Sequence, residues 1–194
     1  MDLHAAKDYI LKRLKTELSP DLYFHSFEHT VDVYNAAKRL ISLEKITGEN
    51  ALVIKTASLY HDAGMIIQYG HHEKYSIQIA QEFLPQFGYP DDIISKITGA
   101  IQATRLPQHA TNLCEQVVCD ADLDSLGRED FFISSFKLRA EWEKFRIQTV
   151  NLRDWLIFEM EFLENHNYYT ESAIILRQEG KIKHLEEIKN AIAL

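Results

Sequence analysis

Cysteine is nearly absent from this chain. Cys114 and Cys119 are the only two, spaced neither as a CxxC metal pair nor as part of a disulfide framework, so both are expected to be reduced, buried thiols. Basic residues are also scarce: 21 Lys and Arg stand against 29 Asp and Glu, a formal charge of −8. No basic stripe runs along the chain, which excludes a polynucleotide held through its phosphates but leaves room for a small anion held by local charges. No apolar run reaches transmembrane length, and the N-terminal MDLHAAKDYILKRLKTEL has no signal-type apolar core, so a cytoplasmic protein without membrane contact is expected. Four prolines and seven glycines are too few for a long linker or a low-complexity segment. Alternating valine- or threonine-rich strands and repeats of solenoid period are missing as well.

What is there is helical periodicity. Apolar residues recur at three- and four-residue steps in Ile10, Leu14 and Leu18, in Val33, Ala37 and Leu40, and in Ile93, Ile97 and Ile101. Breaks fall at Ser19-Pro20, Thr47-Gly48, Gly70, Pro85 with Gly88-Tyr89-Pro90, Leu106-Pro107, Gly127 and Gly180. With 46% hydrophobic and 26% charged residues over 194 positions, the chain can bury a core without disulfides or structural metal. One all-α domain over residues 1–194 is expected. From Arg128 onward, EDFFISSFKLRAEWEKF and LRDWLIFEMEFLENH are aromatic-rich amphipathic helices without clustered histidines, expected to pack, to form part of a dimer surface or to act as a lid; monomer and homodimer both remain open.

Against this background some polar residues are out of place. In the apolar helix containing ALVIKTASL, the stretch LYHDAG sets His61 and Asp62 at the C-terminal end. A carboxylate there suffers desolvation and the negative end of the helix dipole. A divalent cation between the two side chains resolves both problems; a buried His-Asp ion pair or a helix cap is the structural alternative. His29 falls on the inward stripe with Val33, Ala37 and Leu40 if its helix starts near Ser26, and His25 just before it could line the same cavity. In VVCDADLDSLGRED, Asp120, Asp122 and Asp124 first suggest a calcium loop, but Ser125 and Phe131 occupy the positions where that loop needs glycine and glutamate. Read as a helix, the segment turns Cys114, Val117, Val118 and Ala121 inward with Asp122 beside them, while Asp120 and Asp124 lean towards solvent. Asp122 is thus the candidate to join His29, His61 and Asp62, with a surface acid as the alternative.

The ordered set His29, His61-Asp62, Asp122 resembles the H…HD…D signature of the HD-domain metal-dependent phosphohydrolase superfamily. YFHSFEHT, LYHDAGM, HHEKYSIQIA and DADLDSLGR resemble its flanking segments, over roughly residues 22–127, which leaves about 128–194 as additional C-terminal packing helices. The resemblance implies an all-α helical bundle in which His29, His61, Asp62 and Asp122 ligate one divalent metal. His72 matches a position that serves a second metal or the substrate in some relatives, and Glu73 follows it. Where two-metal relatives carry a further histidine pair, this chain reads Ala103-Thr104-Arg105, so one tightly bound ion is expected, with His71, His72 and His109 as alternative ligands for a second.

Two imidazoles and two carboxylates suit Mn, Fe, Co, Ni or Zn better than Mg. The chemistry implied is attack of a metal-activated water on a phosphoester. Asp62 would bind metal and orient the water, His72 or Glu73 would act as acid-base or positioning partner, and Lys74 and Arg105 flank the site segments as cations for substrate phosphate, with His25 nearby. The resemblance points to a small phosphorylated substrate, a nucleotide above all. Tyr23, Phe24, Phe27, Tyr69 and Tyr75 could stack a base. An HD-type diiron oxygenase and a non-catalytic nucleotide-binding regulatory module are the alternatives.

Overall fold

The computed structural model of the chain describes residues 1–193, and every regular element among them is helical. In chain order these are α1 (Leu3–Glu17), α2 (Phe27–Leu43), α3 (Gly48–Tyr60), α4 (His72–Phe83), α5 (Asp91–Ala103), α6 (Leu113–Asp122), α7 (Phe131–Lys144), α8 (Leu152–Asn165) and α9 (Glu171–Ile192). Short 3-10 turns lie at Ala63–Ile66, Leu84–Phe87 and Asp124–Gly127. The expected all-α class is the one that forms, and no helix among the described residues is long and apolar enough to cross a membrane.

Helices begin where a short polar side chain can cap them. The Ser26 hydroxyl accepts the His29 N–H at 3.3 Å, Asn112 accepts that of Glu115 at 3.1 Å, and Thr170 that of Ala173 at 3.3 Å. The Ser26 cap sets the phase of α2, so that His29 enters the interior one turn after the start while Val33, Ala37 and Leu40 continue the buried stripe.

Helix α3 is the centre of the bundle. Val53, Ile54, Ala57, Leu59 and Tyr60 are wholly buried, and the helix packs against α1, α2, α5 and α6, as an all-round apolar helix must. Its buried hydroxyls are paired: Tyr60 donates to the Ala6 carbonyl at 3.0 Å, and Thr56 meets the Tyr89 hydroxyl at 3.0 Å. Beyond His61 the chain tightens into the 3-10 turn, with Asp62 at the junction. A Cβ on Gly64 would stand 1.9 Å from the His72 carbonyl oxygen. Only glycine therefore lets the start of α4 lie on this turn, which is what carries His72 to Asp62.

Two sequence expectations fail here for packing reasons. Gly180 does not break a helix; it lies inside α9, where a Cβ would sit 2.2 Å from the Gly127 carbonyl, so the residue is small to allow backbone contact rather than to end the helix. Asp120 and Asp124 do not lean towards solvent but are 1% and 3% exposed. Asp120 accepts the Tyr169 and Thr170 N–H groups at 2.8 Å each and the Thr170 hydroxyl at 2.7 Å, tying α6 to the start of α9. Asp124 receives guanidinium donors from Arg39 and Arg177 at 2.8 Å and from Arg128 at 3.4 Å. Both acids have the partners that make burial tolerable. Cys119 is buried as expected, whereas Cys114 is only half-buried; both are free thiols.

Candidate metal centre

Four side chains from α2, the α3 terminus and α6 converge beside α4. His29 Nε2 lies 3.4 Å from Asp62 Oδ2 and 3.3 Å from Asp122 Oδ1; His61 Nε2 lies 3.2 Å from Asp62 Oδ2 and 3.4 Å from Asp122 Oδ1. The two imidazole Nε2 atoms are 3.4 Å apart. Donors each about 2.1 Å from a common ion stand about 3.0 Å apart at right angles and about 3.4 Å apart at the tetrahedral angle. The observed separations are compatible with four donors around one ion. His29, His61 and Asp122 alone already bring their ligand atoms within 4.8 Å of one another.

Second-tier contacts aim these donors. His61 Nδ1 donates to the Ser58 carbonyl at 3.0 Å, which leaves the Nε2 lone pair for the centre. Gln108 Nε2 donates to Asp122 Oδ2 at 3.4 Å and to the Cys119 carbonyl at 3.3 Å, steadying the carboxylate whose other oxygen faces the histidines. Asp62 Oδ2 is buried and has no hydrogen-bond partner. An orphan carboxylate oxygen facing two imidazole nitrogens fits a cation, and the mixed nitrogen and oxygen donors fit a divalent transition ion.

Electrostatics agree. Burial works against the charged form of each group, yet the carboxylates outweigh it on His29, held up to about 9, and the imidazoles outweigh it on Asp122, held down to about 2. His61 is raised and Asp62 lowered by the same opposition of burial and mutual attraction. The acids are thus ionised at neutral pH and hold protons on the two imidazoles, which a cation bound between them would displace.

The cluster opens into a cavity of about 470 Å³, into which Asp62 and Asp122 project together with His25, His72, Glu73 and Arg105. His72 donates through Nδ1 to the Tyr69 carbonyl at 3.2 Å, and its Nε2 lies 3.2 Å from Asp62 Oδ1 and 3.9 Å from Glu73. Lys74 is not in this wall: it is exposed, with its ammonium 5.9 Å from the centre of the Tyr75 ring. His71 reaches the rim, while His109 lines a neighbouring depression with Arg105. Of the five aromatic residues singled out above, Phe24 and Tyr69 line the cavity.

Sequence reasoning missed Glu141. This α7 residue is fully buried; it meets His25 Nδ1 at 2.5 Å and accepts the Phe24 and His25 N–H groups at 2.9 and 3.0 Å. Burial would raise its pKa, but His25 and these amides lower it on balance. A glutamate three residues after Leu138 on an aromatic-rich inward stripe was the available signal. The cavity wall itself was also missed, since α7 and α8 supply Leu138, Trp142, Phe158, Glu159 and Phe162 to it rather than merely packing behind the core.

Comparison with known proteins agrees with this arrangement. The HD domain model matches residues 26–125, more than half of the chain. A structure from Lactobacillus plantarum superposes with a TM-score of 0.69 at 18% identity, covering 97% of this chain and 95% of its own. A predicted HD superfamily hydrolase from an uncultured Thermotogales bacterium gives 0.65 at 18% identity, covering 98% and 91%. Bacillus subtilis YpgQ, solved in complex with ADP, gives 0.61 at 14% identity, covering 98% of both chains. No curated relative matches. With the signature residues gathered at one centre and the family model spanning the helices that carry them, the chain belongs to the HD domain family.

Proposed function

We propose that this protein is a metal-dependent phosphohydrolase that cleaves a small phosphoester, with nucleotides as the substrate class. The observation that carries this reading is the buried, unpartnered Asp62 Oδ2 among His29, His61 and Asp122, at the wall of a cavity with room for a small ligand. His29, His61, Asp62 and Asp122 would hold one divalent ion. When bound, that ion supplies Lewis acidity towards a phosphoryl oxygen and lowers the pKa of a water.

The protein's own groups do the rest. Asp62 turns Oδ2 to the ligand cluster and Oδ1 to His72, so it orients a water between them and takes up its proton's hydrogen bond. His72, fixed by the Tyr69 carbonyl, is placed to pass a proton towards the leaving oxygen, and Glu73 steadies it. His25, braced by Glu141, and Arg105 offer donors to the phosphate. Lys74 would contribute only by swinging in from the surface. The ADP complex of the B. subtilis neighbour supports a nucleotide as the kind of substrate such a cavity takes. The test is phosphate release from mono-, di-, tri- and cyclic nucleotides with manganese, cobalt or nickel, for wild type and Asp62→Ala. Release by wild type alone is expected; equal release by the variant, or none from any substrate, refutes the reading.

A further inference from the structure

The metal cluster occupies only part of the cavity. Where α7 and α8 form its wall, the surface is mainly apolar and aromatic, with Phe131, Leu138, Trp142, Phe158 and Phe162, and its polar groups are the Ser134 and Ser135 hydroxyls and one carboxyl group. Glu159 is 4% exposed, and burial pushes it up to about 7, with the Ser135 hydroxyl as the only moderating neighbour. Ser135 is itself committed, accepting the Trp155 indole N–H at 2.8 Å, so its own proton is free to reach Glu159. Ser134 lines the cavity beside it.

A carboxyl retained in an aromatic wall without a cationic partner is costly unless a ligand completes its hydrogen bonding. The walls are flat rings, which suit a stacked planar ligand. A carboxyl that is protonated for part of the time presents both a donor and an acceptor, the complement of a nitrogen heterocycle whose edge carries a donor beside an acceptor. We propose that Glu159 is the specificity-determining residue of a subsite for a nitrogen heteroaromatic ring, stacked against the α7 and α8 aromatics and hydrogen-bonded to the carboxyl through its polar edge, so that the base of a nucleotide, and not its phosphate alone, is held. The inference deepens the phosphohydrolase reading, since it takes the same cavity as the substrate site.

The test uses nucleosides, which have no phosphate to hydrolyse. Quenching of tryptophan fluorescence, with Trp142 in the wall, is titrated on the full chain with adenosine, guanosine, cytidine, uridine and inosine. Wild type should bind at least one of these nucleosides, Glu159→Leu should weaken that binding about tenfold or more, and Glu159→Gln, whose amide keeps a donor and an acceptor, should retain it. Equal nucleoside binding by wild type and Glu159→Leu, or no nucleoside binding, overturns the subsite. Phosphate release without Glu159-dependent nucleoside binding sinks the subsite alone, and such binding without release sinks the hydrolase reading alone.

Discussion

Glu159 also makes a quantitative prediction about stability. The carboxyl rises from an ordinary 4.5 to about 7 in the folded chain. The difference of 7 − 4.5 is worth about 3 kcal/mol at 1.36 kcal/mol per unit. Because the folded value lies above the unfolded one, the contribution is fully present below pH 4.5 and is lost as pH rises through about 7. Replacing Glu159 with Gln removes this titration while keeping the shape. Urea unfolding of wild type and variant should therefore give stabilities that nearly coincide near pH 4.5 and differ by about 3 kcal/mol at pH 8, the variant being the more stable; on a chain of this size that is a shift of roughly 6–12 °C in Tm. Comparing the two proteins at each pH cancels other titrations, including that of buried His166, held down to about 4. A stability difference that is the same at both pH values would refute the reasoning.

Two glycine substitutions test packing that the site depends on. Gly64→Ala drives a Cβ into the His72 carbonyl, so α4 must move off the 3-10 turn; a loss of about 2 kcal/mol in urea unfolding and at least tenfold weaker metal binding by calorimetry are expected. Gly180→Ala meets the Gly127 carbonyl across the α9 contact and should cost a similar amount of stability while leaving metal affinity unchanged, because none of the cluster residues lies on α9.

The helices and the gathering of His29, His61, Asp62 and Asp122 were legible in the sequence for one physical reason: both leave local signals. Three- and four-residue apolar steps mark a helix face, and LYHDAG is visible because histidine and aspartate interrupt an apolar run at a helix end. The burial of Asp120 and Asp124 was not legible, because it depends on partners remote in the chain, the start of α9 for one and Arg39 with Arg177 for the other. The roles of Glu141 and Glu159 were hidden in the same way. Each looks like one more acid on an amphipathic helix until the fold sets it against His25 or in the cavity wall. Gly180 misled for the opposite reason: a residue that usually signals a break was required by the Gly127 backbone packed where its Cβ would stand.

The central claim is that His61 and Asp62 are ligands rather than a buried ion pair. Metal content per chain, measured by mass spectrometry after equilibration with manganese, cobalt, nickel or zinc and desalting, tests it directly for wild type, Asp62→Asn and Asp122→Asn. One ion per folded chain in wild type, lost from both variants while their helical circular dichroism persists, is the predicted result. Undiminished metal in the folded variants, or none in wild type, would contradict it.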